Sequence, residues 1–165
     1  MRIRDYLQSQ NVWFQSVLHR PAPSASQLAR SLHVPGRQVA KAVMVRAGEA
    51  FVLAVLPATV MIDLSRLSQA LDGVPISLAT EDELERVFGD CERGALPPFG
   101  RLYGLRTVVD VSLSAGAEIV CVGNNRHEVL RLRYRDYEAL ESPALARFAT
   151  SGEARRRRTT HRRAG

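Results

Sequence analysis

Lys41 is the only lysine among 23 basic residues, the other 22 being arginines. It stands in the apolar run Val39-Ala40-Lys41-Ala42-Val43. Strand periodicity sets it on the face opposite Ala40 and Ala42. A compact ammonium with three donors differs from a planar guanidinium fork in what it can hold, a phosphate or carbonyl oxygen for example. An edge-strand lysine that discourages aggregation is the plainer alternative. The second candidate is the loop from Gly94 through Pro97, Pro98 and Phe99 to Gly100. Glycine permits close backbone approach, and consecutive prolines fix φ and carry no N–H, so the loop is stiff with few donors and suits holding a small substrate against backbone groups. A proline-rich structural turn over the sheet is its plain alternative. His127 follows Gly123-Asn124-Asn125-Arg126 at the start of a strand, where a sheet end could face a pocket. Asp110, ending Thr107–Asp110, either orients a neighbour or caps the next turn.

Other chemistries find no support in the residue pattern. His19, His33, Cys91 and Cys121 show no metal-ligand spacing, so no metal and no cofactor is expected. Cys91 has no histidine beside it in sequence to activate a thiolate. Walker A, GxSxG and HExxH patterns are missing. The two cysteines cannot form a disulfide framework, which agrees with a reducing cytoplasm. No stretch approaches a membrane span, since Val39–Val60 is broken by Lys41, Arg46, Glu49 and Pro57. The opening MRIRDYLQSQ places charge where a signal peptide has its apolar core.

The formal charge of +6 divides unevenly. Residues 153–165 hold six arginines and one glutamate, so the rest of the chain is nearly neutral. A near-neutral body argues against broad phosphate-backbone binding over its surface, whereas the tail offers an appended electrostatic contact for RNA or a solubilising extension. The 165 residues, 45% of them hydrophobic, suit one domain, read as 1–150, with 151–165 as an arginine-rich disordered tail and order fading after Phe148.

These candidates need positioning elements. Ile3, Tyr6 and Leu7 share one face of an opening helix, and VWFQSVLH reads as a strand. After a turn at Arg20–Pro23, Ser24 and Gln27 mark a helix start that HVPG ends. VAKAVMVRA and AFVLAVLPA, joined at Gly48-Glu49, make the clearest hairpin. Asp63 can cap a helix carrying Leu64, Leu67 and Leu71, after which Ile76–Leu78 is a short strand. Thr80 with Glu83 signals a further helix with Leu84, Val87 and Phe88 inward. The pattern is lost from Cys91 to Gly104, and long irregular loops in compact domains are often functional. Thr107–Val111 and Glu118–Val122 read as buried strands, VLRLR as an alternating one, and Arg135–Leu140 as a final helix. The fold class is mixed α/β with an at least partly antiparallel sheet.

In order, VPGRQVAKAVMV, FVLAVLPA, GALPPFG, TVVDVSL and VGNNRHEVLRLRYRDYEAL resemble the YbaK-like family, the prolyl-tRNA synthetase-associated editing domains that also occur free-standing. The resemblance covers about Ile3 to Leu140. It implies a mixed, largely antiparallel curved sheet surrounded by short helices, and metal-independent hydrolysis of the ester joining a wrong, small amino acid to the 3′ end of a tRNA. On this pattern Lys41 lies near the terminal nucleotide, and Gly94 and Pro98 fall on the family's G-x-x-x-P loop beside the scissile carbonyl. Lys41 and Gly94 are then the catalytic candidates, and Pro98, Phe99, Gly100, Asp110, Gly123 and His127 the substrate-binding ones. Partners implied are a mischarged tRNA and a synthetase. A non-catalytic tRNA- or protein-binding module of the same fold is the alternative, and alanine, cysteine, serine and threonine esters all stay open.

Overall fold

The computed structural model describes residues 1–20 and 24–151. Residues 21–23 of the expected turn at Arg20–Pro23 and the arginine-rich segment 152–165 lie outside the described residues. In chain order the elements are α1 (Ile3–Ser9), β1 (Phe14–Leu18), α2 (Ala25–Ser31), β2 (Ala40–Ala47), β3 (Ala50–Pro57), β4 (Met61–Ile62), α3 (Leu64–Ala70), β5 (Ile76–Leu78), α4 (Glu81–Val87), β6 (Arg106–Asp110), α5 (Val111–Ser114), β7 (Glu118–Val122), β8 (Glu128–Arg133), α6 (Tyr134–Glu141), β9 (Ala144–Ala146) and β10 (Ala149–Thr150).

Local chemistry explains most of these boundaries. The side chains of Ser24, Asp63 and Thr80 each accept an N–H three residues on, and Thr80 with Glu83 completes a reciprocal capping box. Gly48 takes φ +61 in the two-residue β2–β3 turn, which pairs Ala47 with Ala50 and propagates the register to Ala40 and Pro57.

Five strands form a mixed sheet in the order β5-β2-β3-β6-β9, in which β3–β6 and β6–β9 run parallel. A second, antiparallel sheet has the order β1-β8-β7, and β4 pairs with β10. Ala40, Met44, Leu53, Val55 and Val109 from one face of the five-stranded sheet meet Ile119, Cys121, Leu130 and Leu132 of the smaller sheet, with Leu7, Phe99 and Tyr137 closing the layer. The opposite face buries Val45, Ala54, Leu56 and Val108 under Leu67 of α3 and Phe148. Removing such contiguous apolar surface from water is the main drive for the two-layer packing.

Three expectations change. Val111 begins α5 instead of ending a strand, because the Asp110 side chain caps that turn through Ser112 N–H. The long loop contains a 3-10 turn at Gly100–Tyr103. The chain stays ordered past Phe148, where β10 pairs Ala149 with Ile62 and Thr150 with Met61. Two residues of strand carry no periodicity, so this pairing had no sequence signal.

Candidate active site

The Gly94–Gly100 loop is held at both ends by elements far away in sequence. At its upstream end Glu92 N–H donates to Asn124 C=O (2.7 Å), and Glu92 Oε2 accepts Arg126 N–H (2.8 Å). The β7–β8 turn, residues 123–127, therefore clamps the loop's entrance. Gly94 has φ +86, a left-handed conformation that L side chains avoid, and Arg126 would contact a methyl placed there. At the downstream end Pro98 C=O accepts the Tyr137 hydroxyl (2.8 Å), and the fully buried Phe99 ring meets Tyr6 and Tyr137 edge-on, at 6.4 and 5.6 Å between centroids.

Gly100 is required by close approach, because a methyl on it would overlap the Thr107 hydroxyl. That hydroxyl donates to Glu141 Oε2 (2.8 Å), which also accepts Arg101 N–H (3.2 Å). Gly100→Ala is expected to destabilise the protein by about 1–3 kcal/mol through overpacking. Urea unfolding of the single variant and of Gly100→Ala with Thr107→Ala checks this, since trimming Thr107 should recover part of the loss.

Beside the loop a cleft of about 550 Å³ is lined by Leu84, Phe88, Cys91, Ala95 and Leu96, with Glu81, Glu85 and Arg93 around it. Arg93 sits 3.6 and 3.7 Å from the carboxylates of Glu81 and Glu85. The Cys91 thiol contacts Tyr103 Oη (3.3 Å) and Asn124 Nδ2 (3.6 Å), and burial pushes its pKa up. Cys121 is fully buried and pushed up to about 12 by desolvation. Both shifts oppose thiolate formation, so neither cysteine is primed as a nucleophile. Among the described residues no group of three or more His, Cys, Asp or Glu is placed to hold a metal ion, and no helix is long and apolar enough to cross a membrane.

Lys41 occupies a different face. Its neighbours by alternation, Val43 and Val45, pack toward α3, whereas Ala40, Ala42 and Met44 pack on the Phe99 side. The half-buried ammonium donates to Val60 C=O (2.6 Å), and burial lowers its pKa. Between the Val39–Val120 bridge and the first β5 pair at Val45–Leu78, however, β2 has a strand neighbour on the β3 side alone. Met44 C=O on that side accepts Ala79 N–H (3.1 Å), so the stretch without a strand neighbour there is Ala40–Val43.

The other sequence candidates divide between these regions. Gly123 is buried under Leu130 with room for a methyl, so packing does not demand glycine there. His127 is exposed, its N–H donating to Asn125 Oδ1 (2.9 Å) and its C=O accepting His19 N–H (2.8 Å). Asp110 lies on the α3 face, with its oxygens taken by Ser112, Phe148 N–H (2.8 Å) and Ala149 N–H (2.9 Å). The structure thus brings Gly94, Pro98, Phe99, Gly100, Gly123 and His127 to one side and Lys41 and Asp110 to the other. Sequence inspection missed Glu92, Asn124, Tyr137 and Glu141, whose contacts all span more than 30 residues. The one available signal was the i, i+4 spacing of Tyr137 and Glu141 on α6.

Known proteins share this architecture. A solved structure described as a candidate trans-editing enzyme for prolyl tRNA synthetase superposes with a TM-score of 0.79 at 19% identity, covering 90% of this chain and 95% of that one. The hypothetical protein APE2540 gives 0.77 at 17%, covering 90% and 99%. A candidate signal transduction protein from Marinobacter aquaeolei VT8 gives 0.70 at 19%, and the match spans 90% of this chain but 30% of that larger one. At these identities the likeness is one of fold. No curated protein matches the sequence. Residues 19–140, which run from the end of β1 through both loop clamps into α6, match the aminoacyl-tRNA editing domain. The chain belongs to the aminoacyl-tRNA editing domain family.

Proposed function

We propose that this protein is a trans-editing deacylase that hydrolyses the ester of a tRNA mischarged with a small amino acid, without a metal or cofactor. The observation that carries the reading is a rigid loop, clamped at both ends, beside an apolar cleft. Ala95 N–H is taken by Glu92 C=O (2.9 Å), and Pro97 and Pro98 have no N–H, which leaves Gly94 and Leu96 as the donors to a ligand in the half of the loop upstream of the prolines. Backbone N–H groups aimed at the scissile carbonyl stabilise the oxyanion that forms when water attacks. The tetrahedral intermediate then expels the ribose oxygen, which takes a proton, giving the free amino acid and a 3′-terminal nucleotide with both hydroxyls free. An activated ester needs positioning more than a strong nucleophile, in keeping with two unreactive cysteines. Lys41 is assigned to the terminal nucleotide and Gly94 to the reacting carbonyl. Pro98, Phe99 and Gly100 shape the loop, and Gly123 and His127 complete the wall formed by the β7–β8 turn. Asp110 serves this site indirectly, through the strap formed by residues 148–150, whose Phe148 and Ala149 N–H groups it accepts. Apolar walls discriminate one methylene by about 1–3 kcal/mol, so rejection of a larger cognate residue is the workable sieve.

A cytoplasmic location and a synthetase partner belong to this proposal, as does contact between the 151–165 tail and the RNA backbone. The test is a panel of tRNAs charged with alanine, cysteine, serine and threonine. At least one ester should be lost faster than in buffer, and removal of residues 153–165 should weaken tRNA affinity and its salt dependence while sparing turnover at saturation. Loss of no ester would overturn the reading. The occurrence of this fold inside a larger candidate signal transduction protein favours a second one, a non-catalytic binding module, for which tRNA binding without ester loss is the expected result.

A further inference from the structure

Ala95 and Pro97–Gly100 of the loop are buried, and beyond that packing the loop's position is set by the hydrogen bonds at its two ends. The downstream clamp is assembled almost wholly by α6. Tyr137 and Glu141 are one helical turn apart and share a face. Both are buried, at 0% and 2% exposure. The Tyr137 hydroxyl is used entirely outside its own helix, donating to Pro98 C=O, while its ring packs edge-on against Phe99. Glu141 places one oxygen, Oε2, between Thr107 Oγ1 and Arg101 N–H, and Leu140 C=O accepts Arg101 Nη1 (3.2 Å). Its other oxygen, Oε1, is buried without a partner among the described residues. A core built for stability alone gains little by burying a carboxylate, since burial of the charged form costs several kcal/mol in typical cases and an apolar residue would fill the space. What this carboxylate does uniquely is accept from Arg101 and Thr107 together, which fixes where the loop leaves Gly100.

Resting on the deacylase reading, we propose that Tyr137 and Glu141 are positioning residues for hydrolysis. They hold Pro98–Arg101, and through it the N–H groups upstream of Pro97, at the height the scissile carbonyl requires. Neither touches the substrate. Their effect therefore falls on the geometry of attack, where a displacement of about 1 Å can cost a hundredfold, and not on the binding of the tRNA body.

The experiment measures single-turnover deacylation and KM, on the ester that the wild type cleaves fastest, for Tyr137→Phe, Glu141→Ala, Glu141→Gln and the control Tyr134→Phe. Tyr134 lies on the same helix and is also buried, at 4% exposure, with a hydroxyl that has no partner among the described residues, so its removal controls for loss of a buried oxygen. Tyr137→Phe keeps the ring and removes one hydrogen bond. It is expected to lower kcat about ten- to a hundredfold with KM within about twofold of wild type. Glu141→Ala should do the same, and Glu141→Gln, whose amide oxygen still accepts both bonds, should restore most of the rate. Tyr134→Phe should be unchanged. Thermal unfolding of each variant confirms that it is folded at the assay temperature. The inference is overturned if folded Tyr137→Phe turns over like wild type, or if Tyr134→Phe slows it equally. Failure of the deacylase reading shows differently, as a wild-type protein that cleaves no ester at all.

Discussion

Lys41→Met is expected to lower kcat/KM for ester hydrolysis about ten- to a hundredfold while leaving the folding free energy unchanged or raised. The first half follows from what a charged donor is worth. A hydrogen bond to a charged group contributes about 1.5–3 kcal/mol, and each 1.4 kcal/mol or so is tenfold in rate. The second half follows from the place of the ammonium. It is half-buried on the α3 face, has one protein acceptor in Val60 C=O, and titrates below its ordinary value because burial disfavours the charged form. A lysine whose folded pKa is below its unfolded one is destabilising at any pH under that lowered value, because the unfolded chain binds the proton more tightly. Methionine keeps the unbranched stem and removes that penalty, at the loss of one bond to Val60. Lys41→Arg should fail to restore activity, because a planar fork cannot replace a compact ammonium at a site set by a single carbonyl. The checks are kcat/KM on the mischarged-tRNA panel and urea unfolding. A methionine variant as active as wild type would remove Lys41 from the site.

What could be seen of this protein before its structure depended on how local each signal was. The Thr80-Glu83 box, the Asp63 cap and the Gly48-Glu49 hairpin are complete within four to ten residues, and each occurs where its chemistry puts it. The loop was recognisable because glycine and proline restrict the backbone wherever they occur. Its clamps were not. Asn124 C=O could serve Glu92 only once β7 and β8 had folded back, and Tyr137 could reach Pro98 only once α6 had closed the core. Strand alternation gave the face of Lys41 correctly, opposite Ala40 and Ala42. It could not say that the loop would pack on the Ala40 side, because that is decided by how two sheets stack, a matter of tertiary packing. The parallel additions of β6 and β9 were illegible for the same reason. Nothing in Ala144–Ala146 distinguishes a three-residue edge strand from a turn.

The largest stability effect is expected at Asp110. This buried carboxylate accepts N–H bonds from Phe148 (2.8 Å), Ala149 (2.9 Å) and Ser112 (3.0 Å) and a further bond from the Ser112 hydroxyl. Burial alone would raise its pKa, but the Ser112 hydroxyl together with those N–H groups more than offsets it, so the carboxyl titrates below its ordinary value. Asp110→Ala strands three N–H donors, and leaving a buried donor unsatisfied costs about 1–3 kcal/mol each, so a total of about 3–5 kcal/mol is expected. Asp110→Asn keeps one acceptor and turns an amide toward Ser112, which should cost less.

The pH dependence has a definite sign. With the folded pKa below the unfolded one, the contribution of Asp110 is fully present above about pH 4 and disappears as pH falls through the lowered folded value. The gap between wild type and Asp110→Asn in urea unfolding should therefore be widest near neutrality and close in acid. A gap that does not change with pH would show that the carboxylate's charge is irrelevant to the clamp. The consequence reaches the site as well. Asp110 ties down Phe148 and Ala149, Phe148 C=O accepts Asp63 N–H (2.7 Å), and Ala149 pairs with Ile62 in β4. Beta-4 follows directly on Val60, the residue whose carbonyl holds Lys41. Freeing the strap should loosen that carbonyl, so Asp110→Asn should lose deacylation in parallel with Lys41→Met, although its carboxylate makes no contact with the substrate. If Asp110→Asn is destabilised yet fully active, the strap and the ammonium are mechanically independent.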